Sequence, residues 1–74
     1  MGRLAGFTYS EVVRKLRAYG FSFDRQGPGS HELWRNAETR RRISIPHHSR
    51  PLAEGTLRAI LREAGIDVEA FLDA

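Results

Sequence analysis

The chain has 74 residues, no cysteine and a formal net charge of +3. One small domain spanning 1–74 is expected, and such a domain buries only about 60% of its unfolded surface. The absence of cysteine excludes disulfides and thiolate metal sites, and no apolar run suits a signal peptide or the ~20 residues of a membrane span.

The hydrophobic fraction of 41% against 28% charged argues for a folded core rather than disorder. A cytoplasmic location and no membrane association are expected. Eleven of the twelve basic residues are arginine, Lys15 being the exception. The guanidinium fork matches phosphate bidentately, which turns the partner expectation towards nucleic acid.

Thr8-Tyr9-Ser10-Glu11 reads as a capping box, and Tyr9, Val12, Val13, Leu16 and Tyr19 follow at helical spacing. A helix is expected from about Tyr9 to Tyr19, stopped by Gly20, with Glu11 and Lys15 as an i,i+4 ion pair and Arg14 and Arg17 in solvent. Phe21, Phe23 and Arg25 then alternate with Ser22, Asp24 and Gln26, the period of a strand. Gly27-Pro28-Gly29-Ser30 is a turn, and His31 to Arg35 a second strand. After a polar turn at Asn36-Ala37-Glu38-Thr39, Arg41, Ile43 and Ile45 alternate with Arg42 and Ser44 in a third strand that Pro46 ends. The connections are short, so the strands form an antiparallel meander.

His47 to Pro51 is a loop. Leu57, Ile60, Leu61 and Ala64 place a second helix over about Glu54 to Ala64, ended by Gly65. Asp67 caps a short terminal helix, in which Ile66 can staple to Phe71. The fold class is therefore α+β, in the order α-β-β-β-α plus a short C-terminal helix. Two helices cover one face of a three-stranded antiparallel sheet. The alternation puts Phe21, Phe23, Leu33, Ile43 and Ile45 inward, and Ser22, Asp24, Trp34, Arg42 and Ser44 outward. The opposite phase of the second strand would bury Trp34 and expose Leu33. The outward phase is taken here, with Trp34 as cover for the open face or as a partner contact.

His31 stands where a strand leaves a tight turn, so it can be accessible and yet held by the sheet. Histidine gives and takes protons near neutral pH. A plain surface histidine beside a hairpin is the competing account of that position. Arg40-Arg41-Arg42 reads as a solvated hairpin end or, with Arg35 across the turn, as a phosphate clamp. His47 and His48 are adjacent and lack the i,i+4 spacing of a helical zinc site. No metal and no cofactor are expected.

The α-β-β-β-α order with basic residues resembles double-stranded RNA-binding domains. A more specific resemblance rests on four pieces in order: Gly20-Phe21 after the first helix; Arg25-Gln26 leading to Gly29-Ser30-His31; Ile45-Pro46-His47-His48; and Gly55-Thr56-Leu57-Arg58-Ala59-Ile60-Leu61 with Ala64-Gly65-Ile66. Together they resemble the HicA family, small mRNA interferase toxins of toxin–antitoxin pairs. The resemblance covers about Tyr9 to Leu72 and accounts for Gly55, a poor helix former in a first turn. It implies an endoribonuclease with His31 as catalytic residue, and a HicB-type antitoxin that masks the site. His48 carries over by position. Pro28 is a departure, standing where a basic residue is common.

The expected function is a metal-independent endoribonuclease toxin acting on mRNA. His31 and His48 are the candidate proton carriers, and Arg25, Gly29, Ser30, Arg35 and Arg42 the candidate RNA contacts. The alternatives are a non-catalytic RNA-binding module of the same fold and a protein-interaction domain using Trp34.

Overall fold

A computed structural model describes residues 2–74. Helix α1 (Tyr9–Ala18) leads into strands β1 (Phe21–Gln26), β2 (His31–Asn36) and β3 (Arg42–Pro46), followed by helices α2 (Glu54–Ala64) and α3 (Val68–Asp73). The strands form one antiparallel sheet in the order β1-β2-β3. The architecture is thus α+β in the expected order.

Helix α1 starts where its capping box dictates. The Thr8 side chain accepts from the Glu11 amide, and the Glu11 carboxylate accepts from the Thr8 amide at 2.9 Å. Glu11 is thereby committed to the cap rather than to Lys15. Lys15 turns inward instead, is buried, and donates to the backbone oxygen of Ala74 at 2.7 Å. Its ammonium also lies over the rings of Phe7 and Phe71. Lys15, together with the Tyr19 hydroxyl donating to the Ala70 carbonyl, clasps α3 onto the domain. Gly65, at φ 73°, closes α2 in the left-handed conformation that favours glycine.

The core joins Val12, Val13 and Leu16 of α1 to Phe21, Trp34, Ile43 and Ile45 of the sheet, and to Leu57, Ile60, Leu61 and Ala64 of α2. Phe71 of α3 is fully buried, edge-on to Phe7. Leu4 and Leu52, outside every helix and strand, are core residues too, and the Leu52 amide donates to the Phe7 carbonyl at 2.8 Å.

Two corrections concern the sheet's faces. Trp34 is 1% exposed, so β2 takes the phase opposite to the one expected from alternation. Trp34 lies across from Phe23 on one side and Ile43 on the other, and these cross-strand partners share the core face. Leu33 accordingly moves to the open face and is half-buried. Burial of the largest apolar side chain outweighs that of a leucine. The Trp34 indole N–H finds an internal acceptor on Glu32 at 3.1 Å, which removes the penalty of burying it.

The second correction is a bulge in β1. Phe23 pairs with Trp34 but Arg25 pairs with Leu33, leaving Asp24 as the extra residue. The bulge shifts the alternation by one, so Arg25 joins Leu33 on the open face instead of following Phe21 and Phe23. Phe23 remains on the helix side, at the sheet's edge, and is 50% exposed.

Trp34→Ala should cost about 3–5 kcal/mol, a large share of the stability of so small a domain. Phe23→Ala should cost much less, because half of that ring is already in water. Urea unfolding of the two variants checks the difference.

Candidate RNA-processing site

The turn before β2 is built to hold His31. The Gly27 amide donates to the His31 carbonyl at 2.9 Å, and the His31 amide donates to the Pro28 carbonyl at 3.1 Å. Gly29 takes φ 59°, which glycine adopts without a Cβ penalty. The Gln26 amide group braces the loop, donating to the carbonyls of His31 and Gly29 at 2.8 and 3.2 Å. The His31 ring is exposed, with Nδ1 3.1 Å from Ser44 Oγ on the neighbouring strand. The serine fixes the ring's direction, and Nε2 makes no hydrogen bond among the described residues.

The open face carries most of the predicted contacts. Arg25 lies opposite Leu33, and Leu33 opposite Ser44. Arg35 lies opposite both Ser22 and Arg42. Arg25, His31, Arg35 and Arg42 are all exposed. The register thus brings these four predicted residues onto one face. Arg35 and Arg42 are like charges directly across a strand pair, an arrangement that destabilises a sheet on its own. Neither takes part in an ion pair among the described residues.

The arginine run at residues 40–42 is divided by the fold. Arg41 precedes β3, and its guanidinium donates to the Glu63 carbonyl at the end of α2. Arg40 holds the hairpin tip at φ 64°, the one non-glycine with positive φ among the described residues. Only Arg42 joins the open face.

His48 lies in the loop just after β3, past Pro46, the cross-strand partner of His31. Its Nδ1 is 2.9 Å from the Arg50 carbonyl, which can only accept, so Nδ1 carries a proton. His48 borders a cleft with Pro46, Arg50, Pro51, Leu52, Ala53 and Thr56, and a second one with Thr8, Tyr9, Ser10, His47 and Ser49. His31 lines neither of these clefts. Ser30 contributes through its backbone, its carbonyl accepting from the His47 amide at 2.9 Å.

Sequence reasoning missed a buried cluster behind the sheet's end. Glu32, 8% exposed, accepts from the Tyr9 hydroxyl at 2.5 Å and from the Trp34 indole at 3.1 Å. Its other oxygen lies 2.9 Å from His47 Nδ1. The His47 ring stacks on Tyr9, with centroids 3.7 Å apart and planes within 9°. Burial alone pushes the Glu32 carboxyl up, but the bonds from Tyr9, Trp34 and His47 outweigh it and hold the group below its ordinary range. The Tyr9 phenol is pushed up to about 12, by burial first and then by its bond to Glu32. The available signal was phase: once Trp34 is inward, Glu32 two residues earlier must be inward as well.

A family model described as the HicA toxin of bacterial toxin–antitoxin systems matches residues 9–66. The chain belongs to the HicA toxin family. It is the toxin member of a toxin–antitoxin system, and such a HicA toxin implies an antitoxin partner. No curated protein matches the chain. The match spans α1 through α2, and so includes the Gly29-Ser30-His31 turn, the arginine face and the Glu32 cluster of this HicA chain.

The Glu32 carboxyl has a folded-state value below its unfolded one, so its contribution to stability is complete above the ordinary value of 4.5. That contribution is lost as pH falls through the lower folded value. Urea midpoints of the parent and Glu32→Gln should therefore differ most above that range and converge in acid.

Proposed function

We propose that this HicA toxin is a metal-independent endoribonuclease acting on mRNA, with His31 as its proton carrier. The observation that supports it best is the open face: an accessible, strand-held histidine on the same face as Arg25, Arg35 and Arg42, none of which takes part in an ion pair among the described residues. The repulsion between Arg35 and Arg42 is relieved by an anionic partner, and a phosphodiester chain supplies one at regular spacing. Backbone groups of Gly29 and Ser30 border the same turn. A surface histidine of no function would not account for a ring tethered by Ser44 at the rim of a cationic face.

The chemistry uses the RNA's own nucleophile. The ribose 2′-oxygen attacks the adjacent phosphorus, and the bond to the 5′-oxygen breaks. With Nδ1–H donated to Ser44 Oγ, the free Nε2 of His31 takes the proton from the 2′-hydroxyl. The leaving 5′-oxygen takes a proton from a second acid or from water, and His48 is the sequence-derived candidate for that acid. Intramolecular attack has an entropic advantage over external water. Proton transfer by a positioned histidine contributes roughly 10²–10⁴-fold. Arginine stabilises the charge that develops on the phosphate. The products are a 2′,3′-cyclic phosphate and a 5′-hydroxyl.

A HicB-type antitoxin is the proposed partner, covering the His31 turn and the arginine face with an acidic surface. Trp34, buried in the core, takes no part in that contact.

His31→Ala should keep the fold, since the ring is exposed, and abolish RNA cleavage and growth arrest. Cleavage should persist in EDTA and stop with a 2′-deoxy substitution at the cut nucleotide, while binding remains. Equal cleavage by the His31 variant would overturn its role, and binding without cleavage by the parent would favour a non-catalytic RNA-binding module. Arg35→Gln or Arg42→Gln should flatten the salt dependence of RNA affinity by about 0.7 in log–log slope per lost phosphate contact.

A further inference from the structure

His31 and His47 mark the same end of the β2–β3 pair. His31 is across from Pro46, and the His47 amide donates to the Ser30 carbonyl at 2.9 Å. Their side chains leave on opposite sides of the sheet: His31 meets Ser44 on the open face, and His47 meets Glu32 on the helix side. An RNA strand that runs along the arginine face and past His31 reaches His47 when it rounds the sheet's end.

His47 is unusually well held for a loop residue. Its Nδ1 donates to Glu32, because a carboxylate only accepts. One ring face lies on Tyr9, yet the side chain remains 53% exposed. Nε2 is the nitrogen left over. The ring borders a cleft of about 440 Å³ with Thr8, Tyr9, Ser10, His48 and Ser49, a volume in the range of small-ligand sites. Its lining is hydroxyl, phenol and imidazole; Thr8 and Tyr9 already donate to Glu11 and Glu32, so Ser10, Ser49 and the imidazoles are the donors left. Such a lining suits an anion that accepts hydrogen bonds.

We infer that this cleft is a second RNA subsite, in which His47 Nε2–H donates to a phosphodiester oxygen next to the one cut at His31. Glu32 is then a positioning residue: its carboxylate accepts from Nδ1 and aims the ring. The charged and titratable groups facing His47 are Glu32 from β2, Tyr9 from α1 and His48 from its own loop. The inference rests on the RNA reading above and adds a residue to it.

The test uses full chains carrying His31→Ala, so that RNA stays intact, and a short fluorescent single-stranded RNA of mixed sequence. Affinity is measured by anisotropy between about pH 5 and 8. Lowering the pH should tighten binding about tenfold, the worth of one charge-assisted hydrogen bond. His47→Gln should lose most of that gain, and Glu32→Gln should reduce it. His47→Asn replaces the glutamine variant if circular dichroism shows that variant unfolded. A His47 variant with the full pH response overturns the subsite and leaves the RNA reading standing. Failure of every chain to bind RNA overturns both.

Discussion

A buried carboxylate ties this small domain together. Glu32 sits on the core face of the central strand, where an unpaired charge would cost several kcal/mol. Three donors from three parts of the chain meet it: Tyr9 at the start of α1, Trp34 on the same strand, and His47 just after β3. Each donor satisfies the charge and is placed by it. The first turn of α1, the indole in the core and the histidine loop are therefore positioned by one group. A strand phase that exposed Glu32 would also expose Trp34, so the hydrogen bonds and the hydrophobic burial favour the same register.

That register determines what the opposite face displays. With Glu32 and Trp34 inward, His31, Leu33 and Arg35 point outward, and the pairing with β3 adds Arg42 and Ser44. The bulge at Asp24 brings Arg25 to the same side. The result is a face with three arginines that take part in no ion pair among the described residues. Local stability is not served by setting Arg35 against Arg42. Conflict between local stability and arrangement is expected where a surface is shaped for a partner. The arginines that do serve the fold lie elsewhere: Arg41 binds the end of α2, and Arg17 lies over the Trp34 ring.

The helices, the strands and their order were legible in the sequence, because a capping box, glycine stops and apolar periodicity are local signals. Membership of the HicA family was legible too, in four short motifs whose order and spacing span most of the chain. The faces of the sheet were read less well. Alternation of period two permits two phases for β2, and choosing between Leu33 and Trp34 requires knowing whether the indole N–H finds an acceptor. The bulge carries no residue signature strong enough to predict, and it decided the side of Arg25. Glu11 and Lys15 have the spacing of an ion pair, but the cap and α3 compete for them.

By itself, then, the sequence determined the element order, the turn that presents His31 and the arginine-rich composition, all of which depend on neighbours within a few residues. Tertiary structure alone decided which arginines share a face with His31, and that Glu32 would hold His47 rather than face water. Those outcomes depend on contacts between α1, the central strand and the loop after β3, brought together only when Trp34 enters the core. Burial of a charge is tolerated there because the same packing step delivers its three hydrogen-bond donors.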